Sequence, residues 1–267
     1  MIPSFWCVKK NYYQNRIEGN MAPLIDKKKF TETLQSWGAG IVRIADTANL
    51  AGIETEPGDL LDGFPRAVSI AVRLSDPIMD GIDNQPTPLY SSHYSRVNAL
   101  LDDIAVRTTN LIQEAGGRAV PIPASLILDS EKWTSFISHK AVALSAGIGW
   151  QGKSLLLVTP EFGPRVRLVT ILTDADLDPD FPVKNRCGKC NQCKDHCPAG
   201  AILGKNTVSH YTTRSEAVDL NRCVHQVRDV FGKLPNTTPL ICGVCIKVCP
   251  WGSKTGKNLP KTALSAG

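Results

Sequence analysis

Residues 145–159 read SAGIGWQGKSLLLVT, and within them Gly147, Gly152, Lys153 and Ser154 spell the GxxxxGKS pattern of a phosphate-cradling loop. Such a loop joins a strand to a following helix, so that backbone N–H groups and the helix N-terminus face the anion together. Here the order is reversed. Trp133, Ile137, Ala141 and Leu144 recur at helical spacing before Gly147, and LLLVT after Ser154 reads as a strand. No clear strand ending in a magnesium-binding aspartate accompanies the pattern. GIGWQG is therefore expected to be a helix C-cap, with Gly147 left-handed, running into a tight turn. A nucleotide-hydrolysing parallel fold gives way to a mixed one.

Working upstream, a helix beginning at Ser130 is expected to lead into that cap. Before it, RAVPI (118–122) reads as a short strand whose proline suits a sheet edge. The long stretch after Ser91 places Val97, Leu100, Leu101, Ile104, Leu111 and Ile112 at helical spacing and is stopped by Gly116-Gly117. AVSIAVR (67–73) and IVRIA (41–45) read as strands, and Asp26 caps a short helix bearing Phe30, Leu34 and Trp37. Downstream, SLLLVT and VRLVTILT, joined by PEFGPR, are expected to form a hairpin. This order predicts the α+β class, with residues 21–180 forming one domain behind an extension at 1–20.

After Asp180 the composition changes. Residues 181–267 carry 13 Lys+Arg against 4 Asp+Glu, whereas residues 1–180 carry 17 against 21. The excess either faces nucleic acid or an acidic partner, or offsets negative charge on thiolate-bound metal. Eight of the nine cysteines lie between Cys187 and Cys249, with Cys7 alone outside. The chain lacks an 18-residue apolar run, and the N-terminal residues carry neither a signal-peptide apolar region nor a twin arginine, so a cytoplasmic protein is expected. In that compartment clustered cysteines point to metal rather than to disulfides.

In CGKCNQCKDHCP, Cys187, Cys190, Cys193 and Cys197 follow the CxxCxxCxxxCP spacing of bacterial two-cluster ferredoxins. Three thiolates wrap one iron-sulfur cluster, and the fourth, before the proline, reaches the neighbouring one. CGVCIKVCP supplies Cys242, Cys245 and Cys249 with the same ending, and Cys223 is the remaining cysteine of the region. The expected sets are Cys187, Cys190, Cys193 and Cys249 on one 4Fe-4S cluster, and Cys197, Cys223, Cys242 and Cys245 on the other. Paired CxxC motifs also make zinc sites, but two CxxxCP endings favour iron-sulfur. The double-cluster domain is expected over 181–254, with a tail at 255–267.

AGIGWQGKSLLLVTPEFG, then ILTD, CGKCNQCKDHCPAGAI and CGVCIKVCPW closely resemble successive motifs of the epoxyqueuosine reductases, cobalamin-dependent iron-sulfur enzymes related to reductive dehalogenases. The resemblance is specific from about Ser138 to Trp251 and weaker from Ile41. It implies a nitroreductase-like α/β sandwich followed by a ferredoxin-like domain, with cobalamin held between them beside one cluster. By position, Gly147, Gly149, Trp150, Gly152, Lys153 and Ser154 correspond to a glycine-rich turn near that cofactor. The family reduces an epoxide on tRNA.

Three features depart from the family. The family continues into a helical-repeat domain that helps hold tRNA, whereas this chain ends 18 residues after Cys249. Its proton-donating aspartate lies in a stretch that here reads PIPAS (121–125), so Asp129 either stands in for that acid or is a surface residue. Its Tyr-His pair appears as Tyr94-Ser95, with His93 on the other side. Tyr94, His139 and Asp129 are the candidate catalytic residues, and Lys140 adds a second cation-capable group next to His139. The expected function is a reductase relaying electrons from a low-potential donor, such as ferredoxin or flavodoxin, through two clusters to cobalamin. Its substrate is a small molecule or tRNA. An electron-transfer or corrinoid-reducing module without its own organic substrate is the alternative.

Overall fold

The computed structural model describes residues 24–129, 134–207, 214–237 and 240–252. The expected extension at 1–20, the tail at 255–267, Cys7 and the Ser130–Trp133 start of the expected helix lie outside them.

Helix α1 (Lys27–Ser36) begins where expected, because the Asp26 carboxylate accepts from the Lys29 N–H at 3.0 Å, and it ends before Gly38, whose φ is 108°. Strands β1 (Ile41–Asp46) and β2 (Arg66–Arg73) follow. A short helix α2 (Asp76–Asp80) leads to α3 (Pro88–Glu114). That long helix starts three residues before the expected Ser91, since Thr87 accepts from the Tyr90 N–H at 3.1 Å and Pro88 fits a first helical turn. Strand β3 (Ala119–Ile122), helix α4 (His139–Ser145), the two-residue strands β4 (Trp150–Gln151) and β5 (Leu157–Val158), and β6 (Val166–Thr173) complete this part.

The main sheet runs β1-β2-β6-β3 and is antiparallel at every pairing. Strand alternation divides its side chains between two cores. Val68, Ile70, Val72, Val169 and Ile171 meet Phe30, Leu34, Leu101, Ile104 and Ile112 of α1 and α3 on one face. Ala67, Ala71, Leu168 and Leu172 meet Ala141 and Val142 of α4 on the other. The result is a three-layer sandwich of mixed helix and sheet, the class the element order predicted. β3 is an edge strand, so a proline is tolerated at Pro121.

Two local expectations fail. Strands β5 and β6 do not pair as a hairpin: Thr159 and Gly163 exchange backbone hydrogen bonds at 2.9 and 3.0 Å, but β5 turns back onto β4 while β6 enters the sheet between β2 and β3. VRLVTILT is apolar on both faces and is satisfied only in the middle of a covered sheet. The helix before Gly147 begins at His139 rather than near Ser130; Ile137 is buried against the second core but precedes the first turn.

The cysteine-rich segment is bound into the sandwich. Ile241 and Val244 join the α1/α3 core, and Gly243, with φ 87°, is so close to Ile82 and Tyr90 that an added Cβ would sit 2.5 Å from the Ile82 side chain. Arg165, 1% exposed, ties α2 to the cysteine-rich segment: it donates to Asp76 at 3.3 Å, to Asp80 at 2.6 Å and to the Lys247 carbonyl at 3.4 Å. Burial raises the Asp76 pKa, but Arg73 and Arg165 outweigh it and the net shift is downward. Truncation of Arg165 leaves Asp76 buried without one of its cations. Arg165→Met is therefore expected to cost about 3–5 kcal/mol in anaerobic urea denaturation, and a loss within about 0.5 kcal/mol would show that Arg165 is not a clamp.

Candidate functional site

The eight cysteines sit on short helical turns and loops that a short chain can present at several angles. α5 (Gln192–Asp195) follows Cys190, α6 (Leu220–His225) carries Cys223, and α7 (Val244–Lys247) carries Cys245. A small core of Leu155, Ala201, Ile202, Ala217 and Val218 packs beneath Cys193, Cys197, Cys223 and Cys245. Ile202 and Val218 form an antiparallel bridge there, and the Ala201 N–H points at the Cys197 sulfur at 3.4 Å.

The thiols fall into two neighbourhoods. Cys187, Cys190, Cys193 and Cys249 line one cavity with Cys245, Pro250 and Trp251. Burial pushes the thiols of Cys193 up to about 11 and Cys249 up to about 12, and the other members of this quartet push in the same direction. Burial likewise pushes Cys242 up to about 11 and Cys245 well above the ordinary range, with Cys223 and Cys197 as their neighbours and Cys193 also beside Cys245. Cys223 is raised too, by burial and then by Cys197. Thiolates crowded in this way repel one another out of water, and an iron-sulfur cluster supplies the compensating positive charge. Among the described residues no three His, Cys, Asp or Glu side chains converge as ligands of a single metal ion do.

The GIGWQGKS turn serves these cysteines. Gly147 has φ 70° and ends α4, as expected, but a Cβ there would lie 1.9 Å from the Phe181 carbonyl oxygen, and one on Gly149 would lie 2.2 Å from the Val158 carbonyl oxygen. Both glycines let backbone pass backbone. Gly152, Lys153 and Ser154 line the cavity of the first quartet. Lys153, 6% exposed, donates to the Cys190 carbonyl at 2.8 Å and to the Asn191 side-chain oxygen at 3.0 Å, closing the loop that carries Cys190. Asn185 donates to the Gln151 carbonyl at 2.7 Å and accepts from the Cys187 N–H at 2.8 Å. Trp150 meets Trp251 edge to face at 4.8 Å.

A second group of polar residues adjoins the other quartet. Arg167, the one charge inside the apolar β6 run, donates to the Tyr94 hydroxyl at 3.1 Å and to Asn98 at 2.9 Å, with its guanidinium 4.3 Å from the centre of the Tyr94 ring. Tyr94 also shares a hydrogen bond with Ser125 at 3.0 Å. Lys140 is half-buried and has no hydrogen-bond partner among the described residues. Burial, then Arg167 and Arg214, push its amine down to about 8, against the opposing pull of Cys223 and Cys245. Tyr90, raised by burial, feels Arg167, Cys245 and Cys242.

The remaining candidates are tied elsewhere. His93 accepts from the Ser75 N–H at 2.9 Å, and burial lowers its pKa. Asp129 pairs through its backbone with Thr134 at the base of the loop that follows Ser125. His139 bridges β6 and the segment after β3, with Nδ1 2.9 Å from the Thr170 hydroxyl and Nε2 2.9 Å from the Pro123 carbonyl. A carbonyl only accepts, so Nε2 carries the proton and donates. Arg167 and Lys153 were the residues whose contacts sequence reading missed; a charge inside an apolar strand was the available signal for Arg167.

Burial pushes His139 down to about 4 from its ordinary 6.5. The folded protein then binds fewer protons at this site than the unfolded chain, and the stabilisation is full above pH 6.5 and lost as pH falls toward about 4. His139→Gln should flatten the decline of Tm across that window. A decline as steep in the variant as in the parent would assign the acid sensitivity to other groups.

Residues 186–252 match the 4Fe-4S double cluster binding domain. An epoxyqueuosine reductase from Listeria monocytogenes is 37% identical over 124 residues, 44% of this chain and 30% of that protein. The one from Vibrio cholerae is 28% identical over 85% of this chain and 61% of that protein. The chain thus spans about a third to three fifths of the length of these relatives. The solved reductive dehalogenase NpRdhA shares the fold with a TM-score of 0.65 over 84% of this chain and 32% of that one, at 20% identity. A solved epoxyqueuosine reductase shares it with a TM-score of 0.56 over 88% of this chain and 67% of that one, at 21% identity. The chain is therefore a relative of the epoxyqueuosine reductases, on a fold they share with reductive dehalogenases, and its residues 186–252 form a 4Fe-4S double cluster binding domain.

Proposed function

We propose that this chain is an iron-sulfur reductase of the epoxyqueuosine reductase type, in which two 4Fe-4S clusters carry electrons to a bound corrinoid. What supports this reading is the neighbourhood of the cysteines. Cys249 lies by Cys187, Cys190 and Cys193, and Cys242 and Cys223 lie by Cys197, with Cys245 beside Cys242, Cys223 and Cys197 and also near Cys193; we assign them to two interleaved quartets. Each quartet borrows the cysteine before the other motif's proline, which is how two clusters are held close enough for rapid electron exchange.

The second quartet is the one beside Tyr94, Lys140 and Arg167. Lys140, half-buried and unpartnered among the described residues, suits an anionic or amide-rich edge such as a corrinoid presents. Lys140 and Arg167 are the residues we assign to holding it. A reduced corrinoid supplies the strongly reducing cobalt centre that a reductive cleavage requires. The glycines of the GIGWQG turn support the cluster loops from behind, through their packing on Phe181 and Val158.

Tyr94 is our proton donor. Arg167 donates to its oxygen and stacks on its ring, so the negative charge left when the proton departs is stabilised where it forms. His139, with both ring nitrogens engaged, holds the segment carrying Ser125 against β6 and thereby positions Tyr94. We propose as substrate an epoxide on RNA, since a solved epoxyqueuosine reductase of the same fold is bound to a modified tRNA stem loop, or a small molecule reducible in the same way.

Cluster-loaded protein titrated with cobalamin is expected to bind one equivalent, and the paired substitution of Lys140 and Arg167 by Ala to weaken binding at least tenfold with unchanged iron content. Absence of binding by the parent would remove the corrinoid from this account. Tyr94→Phe is expected to slow turnover by roughly 10²-fold or more without changing cobalamin affinity; turnover within about threefold of the parent would exclude Tyr94 as the donor.

A further inference from the structure

Electrons must reach the clusters from outside, and the two quartets differ in where they face. The Cys197 quartet adjoins Tyr90, Lys140 and Arg167 within the sandwich. The Cys187 quartet lies under a loop whose charged residues are all at the surface. Lys184, Arg186, Lys189 and Lys194 are exposed, and each is within three positions of Cys187, Cys190 or Cys193. Among the described residues none of the four forms an ion pair with an acid, and Asp195 is the sole acid between 181 and 207. Phe181, 81% exposed, stands at the start of the same segment.

The loop beneath these cations is firmly held. Asn185 is bonded to Gln151 and to the Cys187 N–H, Lys153 to the Cys190 carbonyl, and Arg186 lies 5.8 Å from the Trp150 ring centre. Phe181 is fixed through its backbone against Gly147. A held basic surface with one exposed aromatic beside a half-buried redox site has the form of a docking face. Charge steers the encounter, and the aromatic supplies the desolvated contact.

We propose that Lys184, Arg186, Lys189 and Lys194, with Phe181, form the docking face for an acidic low-potential one-electron carrier protein, which reduces the cluster held by the Cys187 quartet. The carrier loses one electron and that cluster gains it; no bond is made or broken. RNA would also favour a basic face, but the patch flanks Cys187, Cys190 and Cys193, whose cavity is not lined by Tyr94, where the proposed chemistry lies, so electron uptake is the role we assign. This rests on the two-cluster reading above.

The test uses cluster-loaded protein and a small acidic flavodoxin as probe. Stopped-flow reduction by flavodoxin hydroquinone should slow at least tenfold in the K184E/R186E/K189E/K194E variant at low salt, and the steep salt dependence of the parent between about 20 and 300 mM should flatten. Reduction by photoexcited deazaflavin, a small reductant that needs no docking, should be unchanged, as should iron content. Phe181→Ser should weaken flavodoxin binding several-fold while leaving the salt dependence intact. Equal flavodoxin rates and affinities in the parent and the charge-reversed variant would overturn the proposal. So would loss of binding to an RNA stem-loop with flavodoxin reduction untouched, which would make the face an RNA surface. Calorimetric binding of oxidised flavodoxin needs no electron transfer. Patch-dependent binding by a chain that holds no iron would therefore keep the docking face and reject the two-cluster reading.

Discussion

Eight half-buried thiols crowded into one short segment are the constraint around which the rest of this molecule is arranged. Left as thiolates they repel one another. Burial and mutual repulsion hold Cys193, Cys242 and Cys249 at about 11 to 12. Ligation to iron-sulfur clusters removes that conflict and converts the unfavourable charge into the cohesion of a segment with little apolar core of its own.

Two devices fasten that segment to the sandwich. Arg165 spans Asp76, Asp80 and the Lys247 carbonyl, and Lys153 bonds the carbonyl of Cys190 from the turn after α4. Both cations are nearly fully buried, which is tolerable only because each meets several oxygens at once. The same geometry sets the path proposed for electrons. One quartet faces a basic exterior, the other faces Tyr94, Arg167 and Lys140, and the interleaved cysteines keep the two together.

The cysteine pattern was readable because cluster ligation depends on local spacing, and CxxCxxCxxxCP leaves few alternatives. Strands β1, β2 and β3 and the caps at Asp26 and Gly147 were readable for the same reason, since each is decided by neighbours within a few positions. What sequence could not reveal depends on distant partners. Lys153 looked like a ligand-facing lysine in a glycine turn, but its partners lie 37 and 38 positions away. VRLVTILT looked like half of a hairpin, yet its two-sided apolarity required a central place between β2 and β3. The bonds of His139 to Thr170 and Pro123 likewise join positions 31 and 16 residues away.

The measurement that bears most directly on the central claim is the iron and acid-labile sulfide content of anaerobically reconstituted protein, read with single Cys→Ser variants. Two 4Fe-4S clusters give eight irons and eight sulfides per chain. Substituting Cys197 or Cys223 should remove the cluster shared with Cys242 and Cys245, while substituting Cys249 should remove the one shared with Cys187, Cys190 and Cys193. Zinc in place of iron, or loss of the same cluster on substituting Cys193 and Cys197, would contradict the interleaved quartets on which the account stands.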